Sequence, residues 1–164
     1  MTSEEFEQQV ARIAAVLEGA GATVQWNERI PDPDNPSQAR QIDVTVRRDS
    51  TLTILECRHH ARPQDVQWIE ELYGRRDSLS ADAIIGVSSS GFTANAWIKA
   101  KRLGVFLRDL QKLSDMTKMA LFRLMVYLAD TPDDPLHSQV QALATQSAEQ
   151  RLVVLLNLSA RFSA

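Results

Sequence analysis

Apolar and polar residues alternate from Gln41 to Arg47, where Ile42, Val44 and Val46 interleave with Gln41, Asp43, Thr45 and Arg47. A period of two is the pattern of a strand with one buried face. Arg48, Asp49, Ser50 and Thr51 suit a turn. Leu52 to Cys57 then read as a return strand that is apolar on both faces, as a central strand is. A turn centred on Asp49-Ser50 sets position 43 opposite position 56. In that register Ile42, Val44 and Val46 share a face with Leu55 and Cys57, while Asp43 faces Glu56 and Arg58 lies diagonal to Asp43. Two carboxylates directly opposite each other on a sheet repel, so the pattern calls for a cation between them.

Helical spacing flanks this hairpin. Thr2 and Glu5 have the spacing of a capping box, and Phe6, Val10, Ile13, Ala14 and Leu17 follow as one apolar stripe that Gly19 and Gly21 end. Ala22 to Asn27 predicts a short strand with Val24 and Trp26 on one face. Pro31, Pro33 and Pro36 mark a loop. Beyond the hairpin, Pro63 suits the first turn of a helix, with Val66, Ile69, Leu72 and Tyr73 as its buried stripe. The run Ala83-Ile84-Ile85-Gly86-Val87 suits a buried parallel strand, which completes a βαβ unit. Thr93 can cap a helix whose apolar face is Phe92, Ala96, Trp97 and Ala100, ending near Gly104, and Val105-Phe106-Leu107 predicts a final strand at the sheet edge. From Gln111 the texture becomes helical throughout, with a stripe through Leu113, Met116, Ala120, Leu124 and Leu128, a linker at 130–135 and a second helix from Leu136 to Arg161. The expected organisation is an α/β domain over residues 1–110 and a helical C-terminal extension over 111–164, whose apolar surplus suits pairing of two chains into a homodimer.

Composition narrows the function classes. A chain of 164 residues with 44% hydrophobic and 24% charged residues is an ordinary globular domain. Its formal net charge of -3 gives no global attraction to nucleic acid, so any DNA contact rests on a local patch. Cys57 is the single cysteine, which fits a reducing compartment. An acidic start argues against a signal peptide, and the longest apolar run, Leu152 to Leu156, is too short for a membrane span. The expectation is a cytoplasmic protein with no membrane partner.

Asp43, followed on the next strand by Glu56-Cys57-Arg58, resembles the core of the PD-(D/E)XK nucleases, and more narrowly their Mrr-like restriction endonuclease branch. Further parts of that pattern are Glu4-Glu5-Phe6-Glu7 opening the first helix, Gln41-Ile42-Asp43, Arg62-Pro63 leading to Gln67 and Tyr73-Gly74, and Ser90-Gly91-Phe92-Thr93 opening a later helix. The resemblance spans about residues 4–110. Two positions depart from it: the family's lysine is Arg58, and its usual Pro-Asp pair is Ile42-Asp43. The resemblance implies a restriction-endonuclease-like mixed sheet flanked by helices. It also implies a metal-dependent DNA endonuclease of host defence or DNA processing, with Asp43, Glu56 and the backbone carbonyl of Cys57 holding Mg²⁺ or Mn²⁺. Arg58 would stabilise phosphate charge, and Gln67 would line the site.

Each candidate has a plainer counterpart. Hard Mg²⁺ prefers carboxylate oxygens and water, which suits Asp43 and Glu56; a salt cluster of Asp43 with Arg58 is the alternative. Gln67 lines a site or is solvated. Glu7 adds a carboxylate from the first helix, or is simply part of an acidic helix start in which Glu4 and Glu5 suit the helix dipole. His59 and His60 are adjacent on a strand and so point to opposite faces, a poor metal pair. Together with Gln41 and Arg62 they contact phosphate or only water. Cys57 reads as a core residue, and Ser88 to Gly91 as a strand exit and helix cap. Arg40, Arg47, Arg48, Arg58, Arg62, Arg75 and Arg76 make the middle of the chain arginine-rich. Arginine stays charged and cannot take a proton from water. Arg58 therefore keeps a second function open: a catalytically inactive nuclease-fold domain that binds nucleic acid or a protein partner.

Overall fold

The computed structural model describes residues 1–18 and 21–110, with residues 131, 135 and 138. Helix α1 (Ser3–Glu18) opens on a reciprocal cap. The Thr2 N–H donates to Glu5 Oε2 at 2.6 Å and the Glu5 N–H donates to Thr2 Oγ1 at 3.2 Å. Phe6, Val10, Ala11 and Ala14 form its buried stripe.

Five strands follow: β1 (Thr23–Pro31), β2 (Ala39–Arg48), β3 (Thr51–Arg58), β4 (Ala83–Ser88) and β5 (Phe106–Asp109), in spatial order β1-β2-β3-β4-β5. The first three are antiparallel neighbours, and β3, β4 and β5 are parallel. The parallel crossovers carry helix α2 (Val66–Ser78) and helix α3 (Ala94–Leu103). This is the mixed, helix-flanked α/β sheet that the sequence leads one to expect. The ladder pairs Val44 with Leu55 and Arg48 with Thr51, which is the register read from the turn at Asp49-Ser50. Asp49 takes the left-handed conformation (φ 52°).

Several details depart from expectation for identifiable reasons. Strand β1 runs on to Pro31, paired with Ala39, because an edge strand tolerates a proline. Helix α2 begins at Val66, not near Pro63. Asp65 is its cap, accepting the Trp68 N–H at 3.3 Å, and Gln64 is held outside the helix by backbone bonds to Gly91 and Thr93. Trp68, Ile69 and Leu72 are its buried residues, whereas Tyr73 and Trp97 are substantially exposed. Thr93 does cap α3, accepting the Ala96 N–H at 3.2 Å, and Gly104 ends it at φ 65°. The expected C-terminal helices and their dimer surface lie outside the described residues. Among those described, no helix is long and apolar enough to cross a membrane.

Two cores sandwich the sheet. Phe6, Val10, Ala11 and Ala14 of α1 pack on Val44, Val46, Leu55 and Val87. Trp68, Ile69 and Leu72 of α2, with Ala96 and Ala100 of α3, pack with Ile42, Ile54, Ile84 and Leu107 on the other side. Ile42 and Val44 therefore sit in opposite cores although they are two residues apart. The expectation that Ile42 shares a face with Val44 and Val46 is corrected: the alternation slips at Asp43. On the neighbouring strand the pairing skips from Trp26↔Val44 to Glu28↔Ile42, and the omitted Asn27 has φ 54°.

Gly86 lies beside Glu56 in the parallel ladder, under α2. A Cβ there would stand 2.7 Å from Leu72 Cδ1 and 3.3 Å from Leu107 Cδ2. Gly86→Ala is expected to destabilise the protein by about 1–3 kcal/mol through overpacking, read as a lower urea midpoint with an unchanged slope. A wild-type midpoint counts against so close an approach of α2.

Candidate active site

Asp43 lies where the regular pairing stops. The β2–β3 ladder ends at Val44↔Leu55, and Asp43 Oδ2 accepts the Cys57 N–H at 2.7 Å, a side chain taking a backbone donor of the neighbouring strand. Burial pushes the Asp43 carboxyl above its ordinary value, although the Cys57 N–H and the charge of Arg75 pull the other way.

Glu56 is more deeply placed, only 7% exposed. It follows Ile54 by two residues and so points to the α2 side of the sheet. Its Oε2 accepts a hydrogen bond from Arg75 Nη1 at 2.5 Å, and its buried Oε1 has no partner among the described residues. Burial raises the Glu56 carboxyl to about 7, the charge of Asp43 adds to the rise, and Arg75 opposes it. Glu7, from α1, is also raised, by burial first and then by Asp43. Three carboxyls from α1, β2 and β3 thus repel one another, with the Arg75 cation beside Glu56.

A divalent cation fits this donor set. Glu56 Oε1 is a buried hard oxygen lacking a partner, and Asp43 supplies a second carboxylate whose repulsion a cation relieves. No cluster of three or more His, Cys, Asp or Glu side chains forms a ready-made metal cage among the described residues. Mg²⁺ needs none, because it commonly takes one or two carboxylates and completes its shell with water and substrate phosphate. Asp43 and Glu56 are the residues that would hold it.

The other sequence candidates are distributed around this pair. Arg58 does not bridge to Asp43 as the salt-cluster reading expects. Its Nη1 donates to Gln64 Oε1 at 3.2 Å and its Nη2 to Glu71 Oε2 at 2.9 Å, with the guanidinium 4.7 Å from the centre of the Trp68 ring. An arginine is long enough to reach α2, and an aromatic face and a carboxylate await it there. Gln67 is exposed and donates to Glu71 Oε1 at 3.2 Å; the buried glutamine is Gln64. Cys57 is half-buried against the α1 core. Burial and the nearby carboxylates raise its thiol, so it is a poor nucleophile. His59 Nδ1 is 2.9 Å from Ser89 Oγ and the ring stacks on Phe6 at 5.4 Å, whereas His60, Arg62 and Gln41 are exposed.

Arg75 is the residue beside the carboxylates that sequence reasoning passed over, counting it only among the arginines that enrich the middle of the chain. A signal was present. Gln67, Glu71 and Arg75 recur every fourth residue and so share one stripe of α2. Glu71 draws Arg58 to that stripe, and Arg75 meets Glu56 from it.

A mixed sheet whose second strand breaks its ladder at an aspartate, with a buried glutamate on the third strand, defines a restriction-endonuclease-like α/β domain. The chain belongs to the restriction endonuclease family: the Mrr catalytic-domain model, described as "Restriction endonuclease", matches residues 1–117. The domain is therefore a nuclease domain of restriction-endonuclease-like type. Among solved structures the chain is similar to a protein of unknown function, AF1548, at 13% identity and a TM-score of 0.56, covering 96% of this chain and 97% of that one. It is also similar to protein VC1899 from Vibrio cholerae at 20% identity and a TM-score of 0.52, covering 75% of this chain but 34% of that one. These likenesses concern the fold. No curated protein matches the chain.

Proposed function

We propose that this chain is a metal-dependent DNA endonuclease, an Mrr-like enzyme of host defence or DNA processing that works in the cytoplasm. The observation that carries the reading is the buried Oε1 of Glu56, without a partner among the described residues, on a carboxyl that burial and Asp43 both push upward. Such an arrangement is costly in a merely structural site and useful where a cation is to be held. Asp43 and Glu56 would hold Mg²⁺ or Mn²⁺, with the Cys57 backbone carbonyl as a third oxygen, and the ion would supply polarisation of the scissile phosphate and activation of water. The Asp43 carboxylate is oriented by the Cys57 N–H. Gln41, His59, His60 and Arg62 lie on or just beyond β2 and β3 and contact the DNA backbone. Gln67 acts through Glu71, and pairing of two chains through the C-terminal extension belongs to the same reading. The test is cleavage of plasmid DNA by the purified full chain with Mg²⁺ or Mn²⁺, compared with chelator. Nicking or linearisation only with metal supports the reading.

One observation favours a second reading. Arg58 stands where the family has lysine, and its guanidinium is engaged by Gln64, Glu71 and Trp68. In that state it helps a reacting phosphate little and cannot deprotonate water. This suits an inactive domain that binds nucleic acid or a protein partner. The two readings separate on Arg58→Lys. If the site is catalytic but impaired, wild-type cleavage is feeble and the lysine variant is faster, on the order of tenfold, with DNA affinity nearly unchanged because the charge is kept. No cleavage by either protein under any divalent metal favours the binding module. A fast wild type slowed by lysine removes the account of Arg58 as an impaired substitute.

A further inference from the structure

We propose that Arg75 is a resident counter-ion of the acidic site, which a divalent cation displaces from Glu56 and which then takes up a substrate phosphate. The inference rests on the reading of Asp43 and Glu56 as a metal site and deepens it by naming how that site is held before metal arrives.

Four observations carry it. First, Arg75 reaches the carboxylates from the last turn of α2, where a side chain 37% exposed meets one only 9% exposed. One end of the pair is thus fixed in the protein and the other stands at the rim. Second, the two oxygens of Glu56 are unequal: Oε2 accepts from Arg75, and Oε1 is buried with no partner among the described residues. A guanidinium that served only to neutralise a structural carboxylate would gain most by a two-pronged fork, satisfying both oxygens. Here one prong is used and the second oxygen is left for another cation. Third, the neighbouring arginines are committed elsewhere. Arg58 is held by Gln64, Glu71 and Trp68, and Arg76 donates to the Gly104 carbonyl at 2.9 Å and lies over Tyr73. Fourth, Asp43 feels Arg75 as well, so one guanidinium offsets both carboxylates.

The chemistry follows. An arginine cannot leave by losing its proton, because it stays ionised at any pH the protein meets. It can leave only as a cation, driven out by a stronger one and drawn toward an anion. A divalent ion supplies the first, and a phosphodiester supplies the second, with an oxygen geometry that matches the guanidinium fork. The divalent ion then neutralises both carboxylates, and the single charge of Arg75 is matched by that of the phosphodiester. The swap also returns to the reaction the cation that Arg58, tied to α2, does not offer.

The test uses the full chain with Mn²⁺ as the probe, followed by calorimetric titration, and thermal unfolding in metal-free buffer. In Arg75→Gln the competing cation is gone. Mn²⁺ is then expected to bind about tenfold more tightly than in wild type, a gain of roughly 1.4 kcal/mol. The metal-free melting temperature falls and Mn²⁺ raises it by more than it raises that of wild type, while affinity for a short DNA duplex with Mn²⁺ present decreases. An unchanged or weaker Mn²⁺ affinity in a folded Arg75→Gln protein overturns the inference while leaving wild-type metal binding, and the nuclease reading, intact. No Mn²⁺ binding by either protein overturns both. Should Arg75→Gln not fold, Arg75→Lys serves: its shorter side chain reaches less far toward Glu56, and Mn²⁺ is expected to bind about threefold more tightly than in wild type. Wild-type affinity in that variant counts against the inference.

Discussion

Asp43→Asn is expected to abolish metal-dependent DNA cleavage, by about 10³-fold or more in rate, in a protein that still folds. The asparagine side-chain oxygen can accept the Cys57 N–H that Asp43 Oδ2 accepts at 2.7 Å, so the break in the β2 ladder keeps its local support. The negative charge is lost, and with it half of the carboxylate pair available to a hard cation. Metal-free stability rises slightly, because Glu56 and Glu7 are both pushed upward by the charge of Asp43. Plasmid cleavage at fixed Mn²⁺, beside a thermal melt of each protein in chelator, reads both effects. Undiminished cleavage by the purified variant removes Asp43 and its neighbour from the catalytic site.

The second large effect is on stability against pH. The Glu56 carboxyl lies at about 7 in the folded protein against an ordinary value of 4.5, chiefly because burial disfavours its charged form. The folded state therefore binds the proton more tightly than the unfolded chain. Stability from this group is fully present below about pH 4.5 and is lost as pH rises through about 7. A shift of that size corresponds to about 3 kcal/mol. Glu56→Gln replaces the carboxyl by an amide that is neutral throughout, and its oxygen can still accept from Arg75. Urea unfolding in metal-free buffer at pH 5 and pH 8 is expected to show wild type losing stability across the interval and the variant losing much less. Groups away from the site contribute alike to both proteins, so the difference between them reports Glu56 together with its coupling to Asp43 and Glu7. Parallel pH profiles would mean that Glu56 is less burdened by its surroundings than its burial indicates. Added Mn²⁺ is expected to restore wild type at pH 8 and to leave the variant nearly unchanged.

Most of the fold was legible because its signals are local. The Thr2–Glu5 cap, the turn at Asp49-Ser50, the apolar run of β4 and the Thr93 cap each occupy a few consecutive residues and form as the pattern indicates, and Phe6, Val10 and Ala14 of the α1 stripe are buried, with Ala11 in place of Ile13 and Leu17. The juxtaposition of position 43 with position 56 follows from the turn, since a two-residue period propagates register along a hairpin. What the pattern could not reveal depends on the third dimension. The slip at Asp43 coincides with a left-handed Asn27 opposite it on the neighbouring strand, which no alternation of apolar residues announces. The partner of Glu56 comes from a helix nineteen positions later. Its arrival depends on how closely α2 sits over Gly86, a tertiary distance, not a spacing. Arg58 illustrates the converse error: its side chain reads as a neighbour of Asp43 on a flat strand, but an aromatic ring and Glu71 on α2 outcompete that carboxylate.

The slip at Asp43 divides labour within the molecule. Because Ile42 is clamped into one core and Val44 into the other, the aspartate between them marks a seam where the two packed layers hand the strand over. Position 43 is therefore fixed from both sides by residues that have no chemical task, while the aspartate itself belongs to neither apolar layer. Either core can drift in sequence, Leu for Ile or Met for Leu, provided its volume is kept, without moving the carboxylate. Stability and chemistry are carried by different residues of the same strand, and a lineage of such proteins is free to change how firmly it folds without renegotiating what it holds at the seam.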